Sequence, residues 1–130
     1  MKVLTLKKRK DFIKAAKEFK VVINGLVLQA AFALPEPKEK CCFVGFTATK
    51  KLGKAFFRNK TKRRLRAVAN ILIPKLGLCG INYVFIGRHN TTELDFCCLL
   101  DKVEKALIDI NNQIIAKRKH DDKIVDDRAD

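Results

Sequence analysis

The sequence predicts an α+β protein, a two-layer α–β sandwich in which helices cover one side of a single sheet. Three observations carry this. Apolar residues recur at helical spacing over 7–19, 55–72 and 95–115. β-Prone runs stand at 26–34, 41–48 and 82–88. Their order is helix, strands, helix, strand, helix, for which one sheet with helices on one side is the economical packing. With 130 residues and 48% apolar content, one domain over 1–116 is expected to bury a real core. Residues 117–130 mix five basic with five acidic residues without periodicity and are expected to form a charged, flexible tail.

The elements follow from local chemistry. In 7–19, Phe12, Ala15, Ala16 and Phe19 recur at helical spacing with lysines between them. Residues 20–24 are a short β-prone link, and Asn24-Gly25 is a turn signal. In 26–34, Leu28, Ala30, Phe32 and Leu34 share one face, while Val27, Gln29, Ala31 and Ala33 share a smaller one. A sheet partly open on that second side fits this pattern. The stretch 35–40, PEPKEK, is a loop, because its prolines lack donors and its charges favour water. After the strand CCFVGFTA (41–48), a loop turns at Gly53, and a helix is expected from 55 to 72, ended by Pro74 and Gly77. Its buried stripe is Thr61, Leu65, Val68, Ala69 and Leu72. A strand over 82–88 and a loop over 89–95 follow. Thr92 to Asp95 has capping-box spacing, with Asp95 as the alternative N-cap of the last helix. Phe96, Leu99, Leu100, Val103, Leu107 and Ile110 form that helix's stripe.

The charge narrows the function. A net charge of +14 on a folded chain implies an anionic partner, with nucleic acid ahead of an anionic membrane surface. The N-terminus lacks an apolar core of signal-peptide length, and no apolar run approaches the ~20 residues of a membrane span, so a soluble, cytoplasmic protein is expected. Five cysteines, Cys41, Cys42, Cys79, Cys97 and Cys98, include two adjacent pairs and no Cys-x-x-Cys. They read as buried free thiols of a reducing compartment rather than as a disulfide framework or a zinc site. His89 and His120 stand in no metal-ligand spacing, and no nucleophile–base set or phosphate loop occurs. No catalytic residue and no metal ligand is therefore assigned to this polypeptide.

The charge concentrates in 47–66, TATKKLGKAFFRNKTKRRLR, where nine of twenty residues are basic and none is acidic. At 100° per residue, Asn59, Arg63 and Arg66 lie opposite the buried stripe, Arg58 and Lys62 flank one side, and Lys60 and Arg64 flank the other. A merely solvated helix would interleave acids at i, i+4. Arginine forks match phosphate oxygens, lysines add mobile charge, and Asn59 can address a base edge or a ribose hydroxyl. Folded RNA is the expected target. A structural RNA-binding protein of ribosomal type and a DNA reader using this helix remain alternatives; the latter would have few base-reading side chains besides Asn59.

The run GFTATKKLGKAFFRNKTKRRLRA (45–67) resembles the signature of the bacterial ribonuclease P protein subunit. The correspondence lies in Thr49-Lys50-Lys51, Gly53-Lys54-Ala55, Arg58-Asn59-Lys60 and Lys62-Arg63-Arg64-Leu65-Arg66. LTLKKRKDF (4–12), YVFIGR (83–88) and LDF (94–96) are similar to flanking motifs of that family. The resemblance implies a four-stranded sheet with a left-handed βαβ crossover, a fold like domain 2 of ribosomal protein S5, with 55–72 as the crossover helix. It implies a holoenzyme that removes the 5′ leader of precursor tRNA, with catalysis and Mg²⁺ held mainly by the RNA subunit. The implied partners are that catalytic RNA and precursor tRNA. By the same resemblance, Lys50, Lys51, Lys54, Arg58, Asn59, Lys60, Lys62, Arg63 and Arg66 face the RNA, and Phe12 and Gln29 lie in the leader cleft. The sequence departs from the family pattern at Lys60, where arginine is usual, and at Ala16 and Gln29, where cleft aromatics are common. Weaker leader contact than in a typical member is expected, with Phe12 as the main stacking side chain.

Overall fold

The computed structural model describes residues 1–24, 26–48, 53–88 and 91–129, with side chains only as far as 121. The elements are β1 (Lys2–Thr5), α1 (Arg9–Glu18), β2 (Phe19–Ile23), β3 (Leu26–Phe32), β4 (Cys41–Ala48), α2 (Ala55–Leu76), β5 (Ile81–Gly87) and α3 (Phe96–Ala129). The strands form one mixed sheet in the order β1-β4-β5-β3-β2. β5 pairs parallel with β4 and antiparallel with β3, so β4–α2–β5 is a parallel crossover between adjacent strands.

The sheet has five strands rather than four. The extra strand is β1, which pairs parallel with β4 from Lys2↔Cys41 to Thr5↔Val44 and is exposed along its length. An edge strand covered on neither face leaves no alternation for a sequence reading to find. The β-prone link is a full strand, β2, whose Ile23 pairs with Leu26 of β3. Of the expected Asn24-Gly25 turn, Gly25 lies outside the described residues.

Helices cover both faces, not one. Leu26, Leu28 and Ala30 of β3, Cys42 and Val44 of β4 and Ile81, Tyr83 and Phe85 of β5 meet Leu65, Val68, Leu72 and Ile73 of α2 and Leu99, Val103, Leu107 and Ile110 of α3. Each fully buried Leu or Ile contributes about 1.5–3 kcal/mol. Residues of the opposite parity, Ala31 and Val84, pack with Leu6 and with Ala15 of α1, and Phe12, Phe43 and Ile86 border this smaller cluster. The second face of β3 is therefore half-covered because α1 is a ten-residue helix with only Ala15 fully buried.

Two helices run longer than their sequence limits. α2 continues through Pro74 to Leu76, and the Gly77 N–H then donates to the Ile73 carbonyl at 2.7 Å. A proline in the last turn removes only one backbone bond, too little to stop the helix at residue 72. α3 continues to Ala129, past residue 115 and through the stretch read as a tail. Ile114 is buried beyond the expected stripe, and Lys117–Asp121 (3.3 Å) supplies an i, i+4 ion pair after it. The Leu99 N–H donates to the Asp95 carbonyl, which makes Asp95, not Thr92, the N-cap position.

A buried polar relay locks α2, β5 and α3 together. The Leu78 N–H donates to Tyr83 Oη at 2.9 Å, Tyr83 Oη donates to Asn111 Oδ1 at 2.6 Å, and Asn111 Nδ2 donates to the Leu76 carbonyl at 2.7 Å. Burial pushes the Tyr83 phenol well above its ordinary range, so it serves as a neutral donor.

Candidate nucleic-acid interface

The expected stripe of α2, Thr61, Leu65, Val68, Ala69 and Leu72, is buried. Opposite it Asn59, Arg63 and Arg66 are exposed, and the flanking Arg58, Lys60, Lys62 and Arg64 are half-buried. The helix therefore presents its cations over a broad arc whose spine is Asn59–Arg63–Arg66. Lys54 sits at the N-cap position, makes no side-chain cap and is exposed; no acid stands in the first turn. Lys50 and Lys51 lie outside the described residues. The four ion pairs among the described residues, Lys2–Glu39, Lys14–Glu18, Lys105–Asp101 and Lys117–Asp121, draw no cation from α2. Its charge is thus available to an external anion.

The seven cations of 54–66 are not equivalent. Arg64 is spent internally: Nη1 donates to the Thr92 carbonyl at 2.7 Å, and Nη2 donates to the Leu94 carbonyl. It clamps the approach to α3 onto α2. Arg66 lies 5.5 Å over the Phe46 ring, which stacks on Phe85 at 5.6 Å. That cation–π contact orients the guanidinium while leaving it exposed. Arg58 keeps a buried Nε without a hydrogen-bond partner. The close seat of α2 on the sheet depends on Gly87, since a Cβ there would fall 2.0 Å from Thr61 Cγ2.

A second region lies on the α1 face of the sheet. The register aligns Lys20, Gln29, Val84 and Gly45 in one row across four strands. The Phe12 ring rests on Gly45, where a Cβ would come within 2.6 Å of Cε1 and Cζ. Phe12 and Gln29 therefore share a face, both half-buried, and Ala16 is exposed. In the next row, Phe43 pairs with Asn82. A cavity of about 550 Å³ opens there between Thr5, Leu6, Asp11, the 33–38 loop, Phe43 and Asn82. Lys7, Lys8, Lys10 and Lys38 ring it, and the buried Asn82 Oδ1 has no partner.

Several features of this region were not expected from the sequence. Phe56 and Phe57 stand exposed at the start of α2, and their position off the buried stripe was the available signal. The clamp role of Arg64 had no local signal, because its acceptors lie 28 and 30 residues away. The cysteines divide: Cys41 and Cys42 are buried, whereas Cys79, Cys97 and Cys98 are exposed, and all five are free thiols. The expectation that all were buried fails for Cys79, just before β5, and for Cys97 and Cys98, which occupy the outer side of the first turn of α3. Among the described residues no three His, Cys, Asp or Glu side chains converge as metal donors, and no helix is long and apolar enough to cross a membrane.

Residues 1–111 match the family model described as Ribonuclease P. The chain is 39% identical over 106 residues to the ribonuclease P protein component of Ruegeria pomeroyi, covering 81% of this chain and 84% of the relative. It is 40% identical over 103 residues to that of Gluconacetobacter diazotrophicus, covering 78% and 86%. In fold it is similar to the RNase P protein from Thermotoga maritima, with a TM-score of 0.65 at 24% identity over 79% of this chain and 94% of that one. The RNase P protein of Staphylococcus aureus aligns with a TM-score of 0.63 at 23% identity over 79% and 91%. With a family match spanning most of its length and relatives near 40% identity, the chain belongs to the ribonuclease P protein component family.

Proposed function

We propose that this chain binds the catalytic RNA of ribonuclease P through α2 and the 5′ leader of precursor tRNA through the α1 face of the sheet. It thereby assists endonucleolytic removal of the leader. The observation that carries the reading is the exposed arc of Arg63 and Arg66 around Asn59, with Lys54, Arg58, Lys60 and Lys62 beside it, none of whose cations forms an ion pair among the described residues. Lys50 and Lys51 extend the same charge in sequence. Guanidinium forks and ammonium groups there neutralise RNA phosphates, while Asn59 addresses a base edge or a 2′-hydroxyl. On the other face, the half-buried Phe12 shares the α1 side of the sheet with Gln29, and the lysine-rimmed cavity gives the leader's phosphates a counter-charge.

In this reading the chemistry stays with the RNA. Mg²⁺, held mainly by the RNA subunit, supplies the activated water and the neutralisation of the scissile phosphate when bound. The protein's part is to hold the substrate and to lower the electrostatic cost of bringing two polyanions together, which reduces the Mg²⁺ needed.

Reconstitution tests this. The chain is added to the catalytic RNA and a leader-bearing precursor at a Mg²⁺ concentration where RNA alone is slow. Restored leader cleavage is the expected result; absence of rescue would favour a purely structural RNA-binding protein. In the same assay Phe12→Ala should weaken precursor affinity about five-fold or more at equal holoenzyme assembly. Unchanged affinity would remove Phe12 from the leader contact.

A further inference from the structure

Phe56 is 69% exposed and Phe57 49%, the largest exposures among the phenylalanines described. Neither serves the core. The buried stripe of α2 begins at Thr61, and Phe56 lies five residues before it, about 140° away at 100° per residue. Counting forward at the same pitch, Phe56 stands almost directly in line with Arg63, seven residues on. Asn59 and Lys60, three and four residues on, lie between them on either side. An apolar ring thus heads the same face that carries Asn59, Lys60 and Arg63, about 10 Å along the helix from Arg63. Phe57 braces it edge-on, with centroids 5.6 Å apart and planes at 80°. Among the described residues the start of the helix has no side-chain cap and no acid in its first turn, so none of them offsets the positive end of its dipole beside the ring.

An exposed aromatic pair inside a field of cations has one occupant of matching chemistry. An unpaired nucleotide supplies a flat apolar face for the ring and phosphates for the charges, whereas an apolar protein surface would have to desolvate Lys54, Asn59 and Lys60 to reach it. We propose that Phe56, braced by Phe57, is a stacking platform for one unpaired base of the RNA bound by α2, with Lys60 and Arg63 on the phosphates of the same strand. This rests on the proposed RNA-binding role of α2 and adds to it a base contact that a purely electrostatic face lacks.

The test measures equilibrium binding of the full chain to the catalytic RNA over a range of salt. Phe56→Ala should weaken binding about five- to hundred-fold without changing the salt slope, because no charge is lost. Phe56→Trp should restore affinity, and Phe56→Leu should not. Thermal melting should be unchanged for all three, as the ring is exposed. Wild-type affinity in Phe56→Ala, or full rescue by leucine, would overturn the platform. Arg63→Ala separates the two levels. If it weakens binding and lowers the salt slope while Phe56→Ala does nothing, the platform fails and the RNA-binding face stands. Failure of the wild-type chain to bind the RNA overturns both.

Discussion

Arg63 and Arg64 are neighbours in the chain with opposite employment. Arg63 is exposed and forms no ion pair among the described residues, whereas Arg64 donates to two carbonyls of the 92–94 segment. Charged donors to carbonyls contribute more than neutral ones, so Arg64→Ala should cost about 1–3 kcal/mol of stability, read as a lowered Tm. Arg63→Ala should stay within about 0.5 kcal/mol in stability and weaken RNA binding instead. Both were legible as cations, and their angular positions followed from the helical period. Which one was spent internally was not, because a loop some thirty residues on supplies the acceptors. The thiols give a second residue-scale prediction. Burial, reinforced by Cys41 and Cys79, pushes the Cys42 thiol up from 9.0 to about 11. The folded state thus favours the neutral thiol. The stabilisation is complete below pH about 9 and is lost as pH rises toward 11. Urea unfolding of wild type and Cys42→Ala should show a stability difference that is constant below pH 9 and shrinks between 9 and 11. At pH 8, iodoacetamide should label Cys97 and Cys98 in the native protein and reach Cys42 only after unfolding.

At the scale of elements, the seat of α2 on the sheet is set by one missing side chain. A Cβ at Gly87 would lie 2.0 Å from Thr61 Cγ2 and 3.6 Å from Leu65 Cδ1. Gly87→Ala should therefore destabilise by about 1–3 kcal/mol through overpacking. Thr61→Ser removes the offending methyl and should recover part of that loss in the double variant, which a thermodynamic cycle by denaturant unfolding measures. Gly45 performs a similar service for Phe12, whose ring occupies the space a side chain would fill. The helical stripe of α2 and the strands of the larger core were readable because each carries a strong period. The strand β1 was not, since its exposure removes alternation. Nor was the placement of α1 on the second face. Val27, Gln29, Ala31 and Ala33 are small enough to accept either a helix or water, and their pattern does not choose between them.

For the molecule as a whole, a net charge of +14 means that folding concentrates like charge, and an anionic partner relieves it. Neutralising about six phosphates should give a slope of log K against log salt on the order of −4 to −5. Filter binding to the catalytic RNA between 50 and 200 mM salt would measure it; each exposed cation removed from α2 should make the slope shallower by about 0.7–0.9.

The chain's pattern was sufficient for an α+β domain, a cationic helix, its buried stripe and the family to which the protein belongs. Those properties are local: they rest on periodicity, charge density and a contiguous motif. Contacts between distant segments decided the rest. They added a fifth strand, put α1 opposite α2 and α3, and withdrew Arg64 from the free cations. They also left Phe56 and Phe57 outside the core. Such features depend on which surfaces meet after folding. An exposed edge strand, a small-residue face and an arginine next to another arginine look the same in sequence whether or not a partner element arrives to cover them.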